Sequence, residues 1–155
     1  MKPEKLDLRG VARQAVEAVH EGDAFVVVAF TPETTSAVRS LGAMRRHVRD
    51  RLGNATLIGF GPRYLHSTGQ LFKGGPDRLV TLIVHAPSED EIEVPGAGYG
   101  LGELLRAQAL GDFEAMRGLG RRVFFVALDT PRQLAELGKA VAVAAEAAKK
   151  GPRTA

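Results

Sequence analysis

The chain alternates between two hydrophobic periods, one typical of amphipathic helices and one typical of buried strands. From Val11 to Val19 apolar residues recur every three or four positions, which predicts a helix that stops near Gly22. The next apolar run is short and rich in β-branched residues, as expected for a strand buried on both faces of a parallel sheet. Comparable runs follow, and the predicted strands lie near 24–30, 55–60, 78–85 and 122–128.

Helical patterns fill the segments between these runs. The predicted helices cover about 11–22, 31–53, 65–72, 101–120 and 130–150. Thr31 or Thr34 can cap the second helix and Gly53 can end it, while Gly111 is expected to interrupt or soften the fourth. Thr130 and Pro131 suit the start of the last helix.

Strands that alternate with helices predict an α/β fold, a three-layer αβα sandwich around a mainly parallel, flavodoxin-like sheet. We expect residues 1–150 to form a single domain and 151–155 a loose tail. Ligands of such sheets bind beyond the carboxyl ends of the strands, so the loops after the second and fourth strands are the predicted places for chemistry.

Composition narrows the classes of function. The 155 residues are 45% hydrophobic and 25% charged, which is ordinary for a globular chain, and the absence of cysteine excludes disulfides, thiolate metal sites and a cysteine nucleophile. Twenty-one basic residues against 18 acidic ones leave a charge of +3, and the densest basic run, 45–51, contains no aromatic residue. Because stacking platforms are lacking, we expect a solvated helix face and no nucleic-acid partner.

No apolar run approaches the ~18 residues of a membrane span, and the first residues have no apolar core like that of a signal peptide. We therefore expect a cytoplasmic protein without a membrane partner. The histidines lack metal-ligand spacing, so neither a metal nor another cofactor is expected. Glycines at 96, 98, 100 and 102 fit no phosphate-loop motif and predict a flexible lid or a turn.

Three of the four histidines have ordinary explanations. His20 and His47 are expected to face solvent, and His85 to be a satisfied histidine at the end of the third strand. His66 differs, because it lies at a strand-to-helix crossover among polar residues that could hold a phosphate or a sugar hydroxyl. These neighbours are Arg63, Ser67, Thr68, Gln70 and Lys73. A capping cluster around a buried histidine explains the same residues equally well.

Two strings carry a family resemblance. "GPRYLHSTGQLFKGGP" and "GELLRAQALGDFEAMRGLGRRVFFVAL" resemble the C-terminal part of the phosphoglucose isomerase moiety in bacterial fused transaldolase–phosphoglucose isomerases. The first string is long and idiosyncratic, so the match is specific. More loosely, from about Gly22 to Leu128, the chain resembles the second sugar isomerase (SIS) domain of phosphoglucose isomerases. The resemblance implies a flavodoxin-like parallel sheet and interconversion of glucose 6-phosphate and fructose 6-phosphate.

The resemblance also implies roles for three residues. His66 matches the family histidine that assists opening of the sugar ring, although Leu65 and Lys73 replace a glutamine and a second histidine of that signature. Lys139, in "AELGK", matches a lysine that reaches the ring region of the sugar. Asp50 occupies the place of the catalytic glutamate, and an aspartate that balances Arg46 at helical spacing is the alternative explanation.

One part of the family site has no counterpart here. The phosphate clamp of the family is a Ser/Thr-rich loop in the first SIS domain, for which this chain has no room. The resemblance therefore implies that another domain or chain completes the site that binds the sugar phosphate. The implied partner is a missing SIS half, a transaldolase-type domain or a further copy in a homo-oligomer. A non-catalytic sugar-phosphate-binding module and a structural interaction domain are the alternatives. Within one chain, we expect His66, Gln70, Arg63 and Lys139 to converge at the carboxyl edge of the sheet.

Overall fold

The computed structural model describes residues 7–150, so the expected tail at 151–155 lies outside the described residues. Within this range four strands alternate with helices in the predicted order. The strands are β1 (Ala24–Phe30), β2 (Ala55–Phe60), β3 (Leu79–His85) and β4 (Arg122–Ala127). The helices are α1 (Leu8–Glu17), α2 (Thr35–Leu52), α3 (Gly69–Gly74), α4 (Leu101–Gly118) and α5 (Gln133–Lys150), and a 3₁₀ turn covers Arg63–His66.

All four strands are parallel, and their order across the sheet is β2-β1-β3-β4. Ala24 on the central strand β1 pairs with Ala55 on one side and with Leu79 on the other. From β1 the chain crosses to β2 through α2, whereas from β3 it crosses in the opposite direction to β4 through α4. The predicted strands and the three-layer α/β sandwich are confirmed, and the direction of winding reverses between β1 and β3.

Two apolar clusters hold helices to the two faces of the sheet. On one face, α1, α2 and α5 pack through residues such as Ala15, Leu41 and Leu137 against alternate residues of β1 and β3. On the other, α3, α4 and the 3₁₀ turn pack through Tyr64 and Met116 against the remaining residues of those strands. Both central strands are thus buried on both faces, which explains their unbroken β-branched composition.

Local chemistry accounts for the boundaries of the helices. Thr34 caps α2, since its hydroxyl accepts a hydrogen bond from the Ala37 N–H at 3.1 Å, and Gly53 ends the helix in the left-handed conformation. Helix α5 begins at Gln133, two residues after the expected first position at Pro131, because the preceding turn forms i→i+3 backbone bonds such as that from the Gln133 N–H to the Thr130 carbonyl. The Gln133 side chain accepts hydrogen bonds from the N–H groups of Asp129 and Thr130. An interruption at Gly111 is not observed, since α4 continues through this exposed position without a break.

A polar network closes the amino edge of the sheet. The carboxylate of Asp23 accepts hydrogen bonds from Arg122 at 2.5 and 3.2 Å and from the His20 N–H at 2.8 Å. The Asn54 amide donates to the backbone carbonyls of His20 and Asp23. These groups are committed to joining α1, β1, β2 and β4. Among the described residues no helix is long and apolar enough to cross a membrane.

Candidate functional site

The loops beyond the carboxyl ends of the strands form the edge at which a parallel sheet binds ligands. They comprise 31–34, 61–68, 86–100 and 128–132. The crevice where the winding reverses lies between the ends of β1 and β3, where Phe30 pairs with His85. Within the described chain, no group of three or more histidine, aspartate or glutamate side chains is arranged to hold a metal ion.

Aromatic packing fixes the segment that follows β2. The Gly61 N–H donates to the Ala29 carbonyl at 2.9 Å, which ties the start of the loop to β1. The buried Tyr64 ring stacks on Phe72 of α3 with centroids 5.6 Å apart and meets the edge of Phe30 at 6.3 Å. The segment is therefore held on a rigid base, while Arg63 and His66 on either side of Tyr64 remain exposed.

His66 lies at the end of the 3₁₀ turn, and its side chain faces solvent. This exposure contradicts the alternative in which a capping cluster surrounds a buried histidine. Ser67 donates its hydroxyl hydrogen to the Tyr64 carbonyl at 3.2 Å and so helps to close the turn. The exposed imidazole can exchange protons with a ligand at this edge.

Arg63 forms an ion pair with Glu33, which joins the loop after β2 to the loop after β1. The arginine side chain is 72% exposed and the glutamate side chain 41%, so the pair lies in water. Exposed pairs contribute little free energy, and an anionic ligand can replace the glutamate at little cost. Arg63 is thus available for binding at the same edge as His66.

Lys73 has a different environment from the one the sequence suggested. Its ammonium group lies 2.7 Å from the Asp112 carboxylate on α4, and the same carboxylate accepts a 2.5 Å hydrogen bond from the Tyr64 hydroxyl. Burial raises the pKa of Tyr64, and the Asp112 carboxylate raises it further, so the phenol stays protonated. In this chain Lys73 is a structural cation that joins α3 to α4.

Thr68 and Gln70 complete the polar segment around His66. Thr68 occupies the N-cap position of α3 but makes no side-chain capping bond, and Gln70 is exposed in the first turn of that helix. Both positions are compatible with contact to a ligand at this edge.

The structure does not bring Asp50 or Lys139 to His66. Asp50 lies near the end of α2, at the amino edge of the sheet, where it is exposed and pairs with Arg49 at 2.7 Å. Lys139 lies on α5, in the layer on the other face of the sheet from the Tyr64 cluster, and lines a groove of about 1160 Å³ between α1 and α5. Convergence of His66 and Lys139 within one chain is therefore not observed.

His85 is the notable residue that sequence reasoning explained incorrectly. It is 5% exposed, and neither ring nitrogen has a hydrogen-bond partner among the described residues, so the expectation of a satisfied strand-end histidine is wrong. Burial lowers the pKa of His85, and the positive charge of Arg106 lowers it further. The Gly102 backbone lies close enough to the ring to oppose this shift, but it does not reach either nitrogen with the geometry of a hydrogen bond. The sequence shows only that His85 ends a predicted strand. That this strand is central, and that His85 therefore lies at the reversal of the winding, requires the strand order.

The fold is a parallel α/β sandwich, and its candidate site lies beyond the carboxyl ends of the strands. Over part of its length this domain is similar to glucose-6-phosphate isomerases. The glucose-6-phosphate isomerases of two strains of Thermus thermophilus are each 36% identical to the chain over 97 residues. The match covers 55% of this chain, and the chain spans only 23% of the length of these curated relatives. No protein-family model matches the sequence.

A solved structure shows the same fold. The crystal structure of a hypothetical protein from Thermus thermophilus matches 92% of this chain with a TM-score of 0.68 and 19% sequence identity. The match covers 44% of that chain. The two proteins therefore share the architecture of nearly all of this chain, which corresponds to less than half of the solved protein.

Proposed function

We propose that this chain is a domain of a glucose-6-phosphate isomerase-like enzyme and contributes ring-opening residues to the aldose–ketose isomerisation of a sugar phosphate. The observation that carries the proposal is the exposed His66, held beside Arg63 on an aromatic base at the carboxyl edge. The partial homology to glucose-6-phosphate isomerases supports the class of reaction. Glucose 6-phosphate and fructose 6-phosphate are the proposed substrate pair.

The proposed chemistry needs no redox partner and no cofactor. The His66 imidazole moves a proton between the ring oxygen and the anomeric hydroxyl, which opens the sugar ring. A base then removes the proton from C2 of the open aldose, which gives an enediolate. A proton passes from O2 to O1, and the base returns its proton to C1, which gives the ketose. A cation near the enediolate oxygen stabilises its charge, and Arg63 is the exposed candidate at this edge.

The base and the phosphate clamp must come from elsewhere under this proposal. Asp50 is on the opposite edge of the sheet, and Lys139 is in the groove on the other face, so each would reach a His66-centred site only from a second copy of this chain. The partner that we propose for the base and the clamp is the missing SIS half, a transaldolase-type domain or a second copy of this chain. Ser67, Thr68 and Gln70 are the proposed sugar contacts on this side.

Isomerase activity tests the proposal. Formation of glucose 6-phosphate from fructose 6-phosphate is measured with the chain alone and after addition of the candidate SIS half. We expect little or no turnover alone, because loss of fixed substrate orientation removes several kcal/mol of barrier lowering. In the completed assembly, His66→Ala should lower kcat by roughly 10²- to 10⁴-fold, as for loss of an acid–base group.

His47→Ala is the matched control, since His47 is an exposed histidine on α2 outside the proposed site. This variant should retain the rate of the unmodified assembly. Strong turnover by the chain alone would contradict the requirement for a partner. A completed assembly that is indifferent to His66→Ala would contradict the catalytic role.

A second candidate function is a non-catalytic module that binds a sugar phosphate or another domain. One observation favours it: Lys73, a cation of the matched string, is committed to Asp112 and not to the edge. Binding of fructose 6-phosphate that persists in His66→Ala, together with absent turnover in every assembly, would decide for this candidate.

A further inference from the structure

The N-terminus of α4 carries an arrangement that the proposed His66 site does not use. Residues 91–102 form a small antiparallel hairpin that folds back over this helix end. The Val94 N–H donates to the Tyr99 carbonyl, Glu93 bridges Gly100, and the Leu101 N–H donates to the Ile92 carbonyl at 2.8 Å. The hairpin register thus brings Glu91 opposite Gly102.

Glu91 places its carboxylate on the helix end. One carboxylate oxygen accepts a hydrogen bond from the Gly102 N–H at 2.8 Å. A Cβ added at Gly100 or at Gly102 would overlap this carboxylate, so the two glycines leave a space that an oxyanion fills. The 18-residue helix favours negative charge at this position through its unpaired N–H groups and its dipole.

His85 is an independent observation at the same place. Successive side chains of a strand point to opposite faces of the sheet. Ile83 of β3 packs in the apolar cluster with α4, so His85, two residues further on, also faces the first turns of α4. Within the described chain its nitrogens are buried and unpartnered, which is costly for a polar side chain unless a ligand or a rearrangement satisfies them. Arg106, one turn into α4, supplies a positive charge near the same ring.

The location agrees with the rule for parallel sheets. His85 ends β3 at the point where the winding reverses, and the hairpin that packs on the start of α4 follows this strand along the chain. The hairpin and the two residues before it are strongly acidic, with Glu89, Asp90 and Glu93 around Glu91, and Glu103 lies in the first turn of α4. These charges oppose a second anion, and all of them except Glu103 lie on the segment that carries Glu91.

We propose that the N-terminus of α4, with His85 and Arg106, is a binding site for a phosphate group, and that Glu91 is a built-in competitor which occupies it in the unliganded chain. A phosphate that displaces Glu91 accepts the Gly102 N–H bond, pairs with Arg106 and supplies the missing partner of His85. The hairpin moves away from the helix end in the same event. This inference does not depend on the role of His66.

The test measures binding of inorganic phosphate to the full chain by NMR, through the amide signal of Gly102 and the ring signals of His85. A tethered carboxylate acts at an effective concentration in the millimolar range, so Glu91→Ala should tighten the apparent Kd by about tenfold. Glu89→Ala is the matched control, because it removes one charge from the same segment without touching the helix end, and its Kd should change by less than about twofold. Arg106→Gln in the Glu91→Ala background should weaken binding again.

Equal Kd values for Glu91→Ala and Glu89→Ala would overturn the proposal, because a general charge effect would then explain any change. Phosphate-induced shifts spread over the basic residues of α2, with the Gly102 and His85 signals unmoved, would also overturn it. If Glu91→Ala fails to fold, Glu91→Gln decides the matter, since its amide oxygen can still accept the Gly102 bond while the charge is removed. That variant should tighten the Kd by at least about threefold, and an unchanged Kd overturns the proposal.

Discussion

At the scale of single residues, Gly61 shows how the candidate site depends on close packing. A Cβ at this position would overlap the ring of Phe30, which is fully buried at the end of β1. The absence of a side chain lets the loop after β2 cross the end of the central strand. Arg63 and His66 follow within five residues, so their positions depend on this crossing.

We expect Gly61→Ala to lower the free energy of unfolding by about 1–3 kcal/mol, because overpacking forces the ring or the loop to move. Thermal denaturation followed by circular dichroism measures the effect. Gly111→Ala is the control, since a Cβ there has open space around it in the described chain and α4 is continuous, and it should stabilise the chain by about 0.5–1 kcal/mol. A Gly61→Ala protein as stable as the unmodified chain would contradict the packing argument.

His85 and His66 show at the same scale that one residue type can have opposite environments. His66 follows a buried tyrosine in a 3₁₀ turn and is exposed, whereas His85 continues the alternation of β3 and is buried. Neither environment follows from the identity of the residue. Each depends on the element in which the residue lies and on what packs over that element.

At the scale of elements, Asp112 joins three elements that pack on the same face of the sheet, namely α3, α4 and the 3₁₀ turn. It lies on α4 and accepts hydrogen bonds from Tyr64 of the 3₁₀ turn and from Lys73 of α3. Arg121 adds a further link, since its Nε donates to the Lys73 carbonyl at 2.8 Å. The small helix α3 is thus held by directed polar bonds as well as by Phe72.

We expect Asp112→Ala to lower the free energy of unfolding by about 3–5 kcal/mol, because it leaves a half-buried ammonium group and a buried phenol without their acceptor. Urea denaturation gives this value. Glu114→Gln is the control on the same helix: its partner Arg117 is exposed, so the loss should stay within about 0.5 kcal/mol. Equal losses in the two variants would show that the Asp112 network contributes nothing special.

At the scale of the whole molecule, two buried titratable groups at opposite edges of the sheet predict how stability depends on pH. Burial raises the pKa of Asp23, but hydrogen bonds from Arg122 and the His20 N–H outweigh it, and the pKa lies below its ordinary value of 3.8. The pKa of His85 lies below its ordinary value of 6.5, chiefly because of burial. In both cases the unfolded chain binds a proton at a higher pH than the folded chain does.

The free energy of unfolding should therefore fall in two stages as the pH decreases. The first begins near pH 6.5, as His85 is protonated in the unfolded chain, and the second near pH 3.8, as Asp23 is protonated there. Urea denaturation at a series of pH values measures both stages. His85→Gln should flatten the upper stage and Asp23→Asn the lower one. An upper stage that persists in His85→Gln would contradict the assignment.

The sequence by itself determined the order and position of the strands, because buried parallel strands need continuous β-branched runs and leave a signal that local periodicity detects. It also predicted the end of α2 at Gly53 and limited its cap to Thr31 or Thr34, of which the structure selects Thr34, because these features depend on residues within one turn. The matched string around His66 pointed to the edge that the structure exposes. These features share one physical basis, since each depends on neighbours that are close along the chain.

Only the tertiary structure decided which charged residues meet. Lys73 pairs with Asp112, 39 positions away, and Arg122 pairs with Asp23, 99 positions away, and no local pattern encodes either distance. The layer in which a helix packs separated Lys139 from His66, and the direction of α2 carried Asp50 to the far edge of the sheet. The strand order β2-β1-β3-β4 made His85 a central residue at the switch point, because sheet order is a property of long-range pairing and not of any single run of residues.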